Sequence, residues 1–133
     1  MASIKIKMKT ILLVDDNSDI RRLIRVSLGR TFKIYEAEDG VSGLQLAHDL
    51  LPDLIVLDIM MPGKLDGLQV LDAIRADPGL RAISVVLVTA KAQATDAEEG
   101  MRRGADAYFV KPFSPLQLTA LIRETVDKGA LHA

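Results

Sequence analysis

The chain contains no cysteine, which excludes a disulfide scaffold, a thiolate metal centre and a cysteine nucleophile, and suits a reducing compartment. It also lacks any apolar run approaching the roughly 20 residues of a membrane helix. The N-terminus alternates Ile4-Lys5-Ile6-Lys7 and forms no signal-peptide core. Nor does charge of one sign dominate: 17 lysines and arginines oppose 18 aspartates and glutamates. No global field therefore draws the protein to DNA, RNA or an anionic membrane. The expectation is a cytoplasmic protein with no direct nucleic-acid or membrane contact. What remains is 133 residues, 49% of them hydrophobic, enough for one domain with its own core. No repeat, low-complexity tract or interdomain linker interrupts it. Met8-Lys9-Thr10 makes a natural start. Residues 8–128 are read as the domain, 1–7 as an N-terminal extension, native or left by cloning, and 129–133 as a short C-terminal tail.

Five short apolar runs recur, at Ile11 to Val14, Phe32 to Tyr35, Leu54 to Leu57, Ile83 to Val88 and Ala107 to Val110. Three are nearly unbroken in Ile, Leu and Val. That is the signature of central strands in a parallel sheet covered on both faces, and it argues against a sandwich.

Helical stripes fall between them. Ile20, Leu23, Ile24 and Leu28 share a face after Asn17 or Ser18 as cap, with Gly29 as stop. Val41, Leu44, Ala47 and Leu51 make a second stripe closed by Pro52, and Leu68, Leu71 and Ile74 a third ending before Pro78-Gly79. The last comprises Leu118, Leu121, Ile122 and Thr125 or Val126, with Pro115 in its first turn and Gly129 after it. A fourth helix near Thr95 to Arg103 offers only Ala94, Ala97 and Met101 to the core, so weak attachment is expected. Five strand–helix alternations imply an α/β, doubly wound parallel sheet with five helices.

In such sheets ligands bind beyond the carboxyl ends of the strands, and here those ends are polar. The first ends in Asp15-Asp16, the third in Asp58, the fourth in Thr89-Ala90 and the fifth in Lys111-Pro112. Three converging carboxylates need a cation or a raised pKa. Magnesium takes one or two carboxylates plus phosphate oxygens and keeps several waters, which suits this set. Without cysteine, or histidine at a strand end, zinc and copper do not fit. Lys111 and Thr89 are the group types that recognise a phosphoryl group arriving at a carboxylate, and aspartate itself can be the nucleophile. Alone, Asp15 and Asp16 would read as helix-capping acids. Thr89 would read as an ordinary strand-end hydroxyl and Tyr108 as a packing aromatic. It is the set that carries the sharper reading.

Leu13-Val14-Asp15-Asp16-Asn17, Leu57-Asp58-Ile59-Met60-Met61-Pro62-Gly63, Val88-Thr89-Ala90 and Tyr108-Phe109-Val110-Lys111-Pro112-Phe113 together resemble the motifs of response-regulator receiver domains in order and spacing, over about residues 8 to 128. The resemblance implies the flavodoxin-like strand order 2-1-3-4-5, an order the chemotaxis receiver exemplifies. It implies Asp58 as phosphoacceptor and magnesium ligand, with Asp16 and the Met60 carbonyl as further ligands and Asp15 acting through water. It implies Lys111 paired with the phosphoryl group before a cis Pro112, and Thr89 and Tyr108 as switch residues. Met60 and Lys91 occupy the positions that resemble the family's tuners of phosphate lifetime. The donor implied is a histidine kinase or histidine phosphotransfer protein, and Arg21, Arg22 and Arg25 mark either its docking surface or a solvated face. The unidentified protein target would meet the fourth helix, fifth strand and fifth helix. Asp66-Gly67 stand one residue farther from Asp58 than the pattern has them, so Gly63-Lys64-Leu65 carry an insertion.

The expected function is a phosphorylation-activated switch of a two-component or phosphorelay system. It is not an enzyme beyond autocatalytic phosphorylation and self-dephosphorylation. With no output domain after the fifth helix, the chain reads as a stand-alone regulator, a relay shuttle or a receiver from a larger protein. A haloacid-dehalogenase-type phosphohydrolase would need a second aspartate where Met60 stands. A flavin-binding module would need a phosphate-cradling loop where Asp15-Asp16 would repel the phosphate. His48 and His132 have no supporting constellation and read as surface residues.

Overall fold

In a computed structural model, which describes residues 8–90 and 94–131, strands and helices alternate throughout. The elements are β1 (Thr10–Val14), α1 (Ser18–Leu28), β2 (Lys33–Ala37), α2 (Gly40–Leu50), β3 (Leu54–Asp58), α3 (Gly67–Ala76), β4 (Ser84–Ala90), α4 (Ala94–Arg102), β5 (Ala107–Lys111) and α5 (Pro115–Leu131). All strand pairs are parallel, in the order β2-β1-β3-β4-β5. The expected topology is borne out. The winding reverses between β1 and β3, so a crevice opens beyond their carboxyl ends.

Side chains alternate across each strand and thereby build two cores. Leu12, Val14, Ile55, Leu57, Val85 and Leu87 point to one face, where α2, α3 and α4 supply Ala47, Val70, Leu71, Ile74 and Ala97. Ile11, Leu13, Leu54, Val56, Val86 and Val88 point to the other, against Ile24 and Leu28 of α1 and Leu118, Ile122 and Val126 of α5. Because both faces are covered, the central strands are apolar at every position, and each buried aliphatic side chain contributes about 1.5–3 kcal/mol.

Several helical stripes are rotated from their expected faces. Asn17 caps α1, accepting from the Asp19 and Ile20 amides, and Gly29 (φ 66°) ends it. Ile24 and Leu28 are buried but Leu23 is 40% exposed. On α2 the sheet-facing residues are Gly40, Gly43 and Ala47, with Leu44 partly buried; Val41 and Leu51 are exposed. The cause is close approach: a Cβ at Gly43 would stand 2.7 Å from a Val14 methyl, so the helix presents its smallest residues to β1. On α4 Met101 is exposed and the contact is made by Ala97 and Gly100, whose added Cβ would meet Leu87 at 2.2 Å. The Ala94 side chain lies outside the described residues. In α5 Leu118, Ile122, Thr125 and Val126 are buried, and the helix runs through Gly129 to Leu131, so Gly129 does not stop it.

Candidate functional site

Asp15 and Asp16 follow the last residue of β1, Asp58 ends β3, and Lys111 ends β5. Parallel register brings these ends level, and one ligand atom from each of Asp15, Asp16 and Asp58 falls within 4.8 Å of the others. Asp15 and Asp58 are buried and Asp16 is exposed. Lys111 Nζ lies 3.3 Å from Asp15 Oδ2 and 3.6 Å from Asp58 Oδ2. One ammonium thus serves two of the three acids.

The remaining bonds hold the pocket's shape. Asp15 Oδ1 accepts from the Asn17 amide at 2.9 Å, and Asp58 Oδ1 from the Met60 amide at 3.2 Å. After β3 the chain is pinned by the Ile59 amide donating to the Val88 carbonyl at 3.1 Å, and by the Gly67 amide donating to the Ile59 carbonyl at 2.9 Å. A Cβ at Gly67 would stand 2.2 Å from the Asp58 carbonyl oxygen. Helix α3 therefore begins against the backbone of Asp58, which only glycine permits.

Burial, with the Asp15 carboxylate beside it, pushes the Asp58 carboxyl up to about 7, against the pull of Lys111 and the Met60 amide. A group so placed favours neutralisation by a cation or a proton. All side-chain donors are hard carboxylate oxygens, which fit magnesium. Asp15, Asp16 and Asp58 could hold such an ion from one side of the crevice.

Thr89 is fully buried at the end of β4 and donates to the Ala90 carbonyl at 3.3 Å. Tyr108, on β5, is 42% exposed, and the Lys111–Pro112 peptide is cis, as expected. The Met60 side chain is exposed. Lys91 and His132 lie outside the described residues. His48 is on the surface, 3.5 Å from Asp77.

Between Asp58 and α3, where an insertion was expected, Gly63 takes φ 104° and Leu65 packs against the core. Gly40 is so close that a Cβ there would meet the Leu65 carbonyl at 2.5 Å. The turn walls a cleft of about 540 Å³ lined by Asp16, Glu38, Asp39, Val41, Gly63 and Lys64.

Of the three arginines on α1, two are engaged with one acid and do not form a free basic surface. Arg21 Nε donates to Glu36 Oε1 and Arg25 Nε to Glu36 Oε2, both at 2.9 Å. Among the described residues, Arg22 alone of the three makes no ion pair. The Glu36 contact escaped the sequence because the partners are 15 residues apart on different elements. Gly67 was visible only as half of a motif, its contact with Asp58 being a matter of packing.

A family model for the response regulator receiver domain matches residues 11–123. The chain is 43% identical over 122 residues to a protein described as a probable transcriptional regulator, ycf27, of Galdieria sulphuraria, covering 89% of this chain and 46% of that protein. It is 41% identical over 132 residues to the transcriptional regulatory protein SrrA of Staphylococcus aureus, covering 92% of this chain and 53% of the relative. The chain thus spans about half the length of these curated relatives. The crystal structure of the receiver domain of NtrX from Brucella abortus superposes with a TM-score of 0.82 at 33% identity, over 88% of this chain and 98% of that one.

Proposed function

Because the chain belongs to the response regulator receiver domain family of two-component systems, we propose that it is switched by transfer of a phosphoryl group from a phosphohistidine donor to Asp58. The observation that carries this reading is the juxtaposition of buried Asp58 with two further carboxylates and the Lys111 ammonium. The haloacid-dehalogenase and flavin-binding alternatives find no support in the family matches.

A bound magnesium ion supplies charge neutralisation to the three acids and to phosphoryl oxygens. Asp16, Asp58 and the Met60 carbonyl are the proposed ligands, with Asp15 acting through water. The Asp58 carboxylate attacks phosphorus, the phosphorus–nitrogen bond to the donor imidazole breaks, and its electron pair returns to the ring nitrogen. Lys111 leaves its position between Asp15 and Asp58 to pair with a phosphoryl oxygen, and the Met60 amide stays on Asp58. The protein's contribution is positioning and charge compensation. Thr89 then turns its hydroxyl to the phosphoryl group, and exposed Tyr108 moves inward. That shifts a pre-existing equilibrium at the face formed by α4, β5 and α5. We place the unit at residues 8–128, the donor as a histidine kinase or phosphotransfer protein, and the compartment as the cytoplasm. Full-length relatives are transcriptional regulators, so an output domain for DNA binding in a longer polypeptide is consistent with the fold.

The test is intact mass after incubation with acetyl phosphate, with and without magnesium. A single hydroxylamine-labile phosphate that requires both magnesium and Asp58 supports the reading. An adduct of the same stoichiometry on Asp58→Asn sinks it.

A further inference from the structure

Beside the acidic pocket lies a charged group that phosphoryl transfer does not use. Arg21 is almost enclosed, its side chain 14% exposed. Its Nη1 donates to the Asp15 carbonyl at 2.5 Å and its Nε to Glu36 on β2 at 2.9 Å. The other Glu36 oxygen accepts from Arg25, which also donates to the Ile34 carbonyl at 3.1 Å. The Asp15 amide in turn donates to the Ala37 carbonyl at 3.1 Å. The main chain of Asp15 is thus held on one side by β2 and on the other by a guanidinium that β2 itself anchors.

A guanidinium is a permanent cation with five donors, and its preferred partners are carboxylates. Here it already grips the carbonyl of Asp15, whose own carboxylate belongs to the pocket. Among the described residues, Glu36 is the one acid outside the pocket that pairs with it. We propose that Glu36, backed by Arg25, is a positioning residue for the cation site: it holds Arg21 on the Asp15 main chain and keeps its charge out of the Asp15–Asp16–Asp58 pocket. The inference rests on reading that pocket as a magnesium site. With Glu36 neutralised, Arg21 loses the acid that holds it, leaving Glu38, which lines the same cleft without pairing to it, as the weaker competitor; it turns to the pocket carboxylates, where it is a built-in competitor of the divalent ion.

The experiment is titration calorimetry of the full chain with magnesium chloride, alongside melting in EDTA, for the parent, Glu36→Gln and the double variant Arg21→Met/Glu36→Gln. Glu36→Gln is expected to raise the magnesium dissociation constant about 3- to 10-fold, the scale of one partly screened charge. Its metal-free melting temperature should be unchanged or higher, because Arg21 then compensates the clustered acids. The double variant should recover most of the lost affinity, since the competitor is gone. A purely structural role for the pair predicts the opposite on both counts: lower metal-free stability in Glu36→Gln, and a double variant no better than the single. Either of those results, or equal magnesium affinity in the parent and Glu36→Gln, overturns the inference and leaves the cation site standing. A parent that binds no magnesium removes the site reading and the inference with it.

Discussion

At the scale of single residues, the decisive quantity is the proton affinity of Asp58. Its folded carboxyl is raised from 3.8 to about 7, so between those values the folded protein holds a proton that the unfolded chain has released. Metal-free stability is therefore highest below pH 4 as far as this group is concerned, and it is lost as pH rises through 7. Asp58→Asn removes that penalty. Without magnesium, its advantage over the parent should grow from pH 5 to pH 8 and reach on the order of 1–4 kcal/mol, read by urea denaturation. Parallel curves for the two proteins across that range would contradict the burial and Asp15 repulsion assigned to Asp58. Two further substitutions separate binding from response. Asp16→Asn should weaken magnesium binding about tenfold or more, checked by calorimetry. Lys111→Ala should leave a phosphorylatable Asp58 but abolish the amide shift changes that phosphorylation produces in α4 and β5. The motifs carried these residues plainly, since each is a polar residue at or just beyond the end of an apolar strand. The Arg21–Glu36 contact was not legible, because no local pattern links a helix residue to a neighbouring strand.

At the scale of elements, the close contacts are where helices meet the site. Helix α3 starts with Asp66 in a capping box with Gln69, and with Gly67 against the Asp58 backbone. Gly67→Ala cannot be absorbed by rotamer change, since the obstructing atoms are main chain. It should cost about 2–4 kcal/mol in urea denaturation and lower the phosphorylation rate. Gly63→Ala, at φ 104° with open space around its missing Cβ, should cost only about 1 kcal/mol and spare the rate. Equal effects would mean that the turn at Gly63, and not the start of α3, sets the loop. The sequence reading had the helices themselves but misjudged their faces. Leu23, Val41, Leu51 and Met101 match an apolar stripe and are nonetheless exposed. Ala47 and Ala97 stood in the expected stripes and are buried, but a count of apolar residues gives glycine no weight, and α2 and α4 approach the sheet most closely through Gly43 and Gly100.

At the scale of the whole molecule, a single five-stranded sheet carries the site at one end and a core on each face. Strands β3 and β4 contribute to both cores, and Asp58 and Thr89, at their carboxyl ends, are both buried. A ligand that binds only the folded form must stabilise all of it. Magnesium at ten times its dissociation constant should add about 1.4 kcal/mol, seen as a melting-temperature rise of about 3–5 °C that is lost in Asp16→Asn. A rise of the same size in Asp16→Asn would place the ion elsewhere.

By itself the sequence determined the architecture and the chemical identity of the site. Buried parallel strands must be apolar throughout, and the polar residues that end them mark the crevice where a doubly wound sheet binds ligands. The tertiary structure alone decided which helix faces are buried, how close α2 and α3 come to the sheet, how far the Asp58 carboxyl is raised, and that Arg21 is held by Glu36. These depend on distances between groups remote in the chain. Burial, Coulomb interaction and steric fit act through space, and local pattern does not record them.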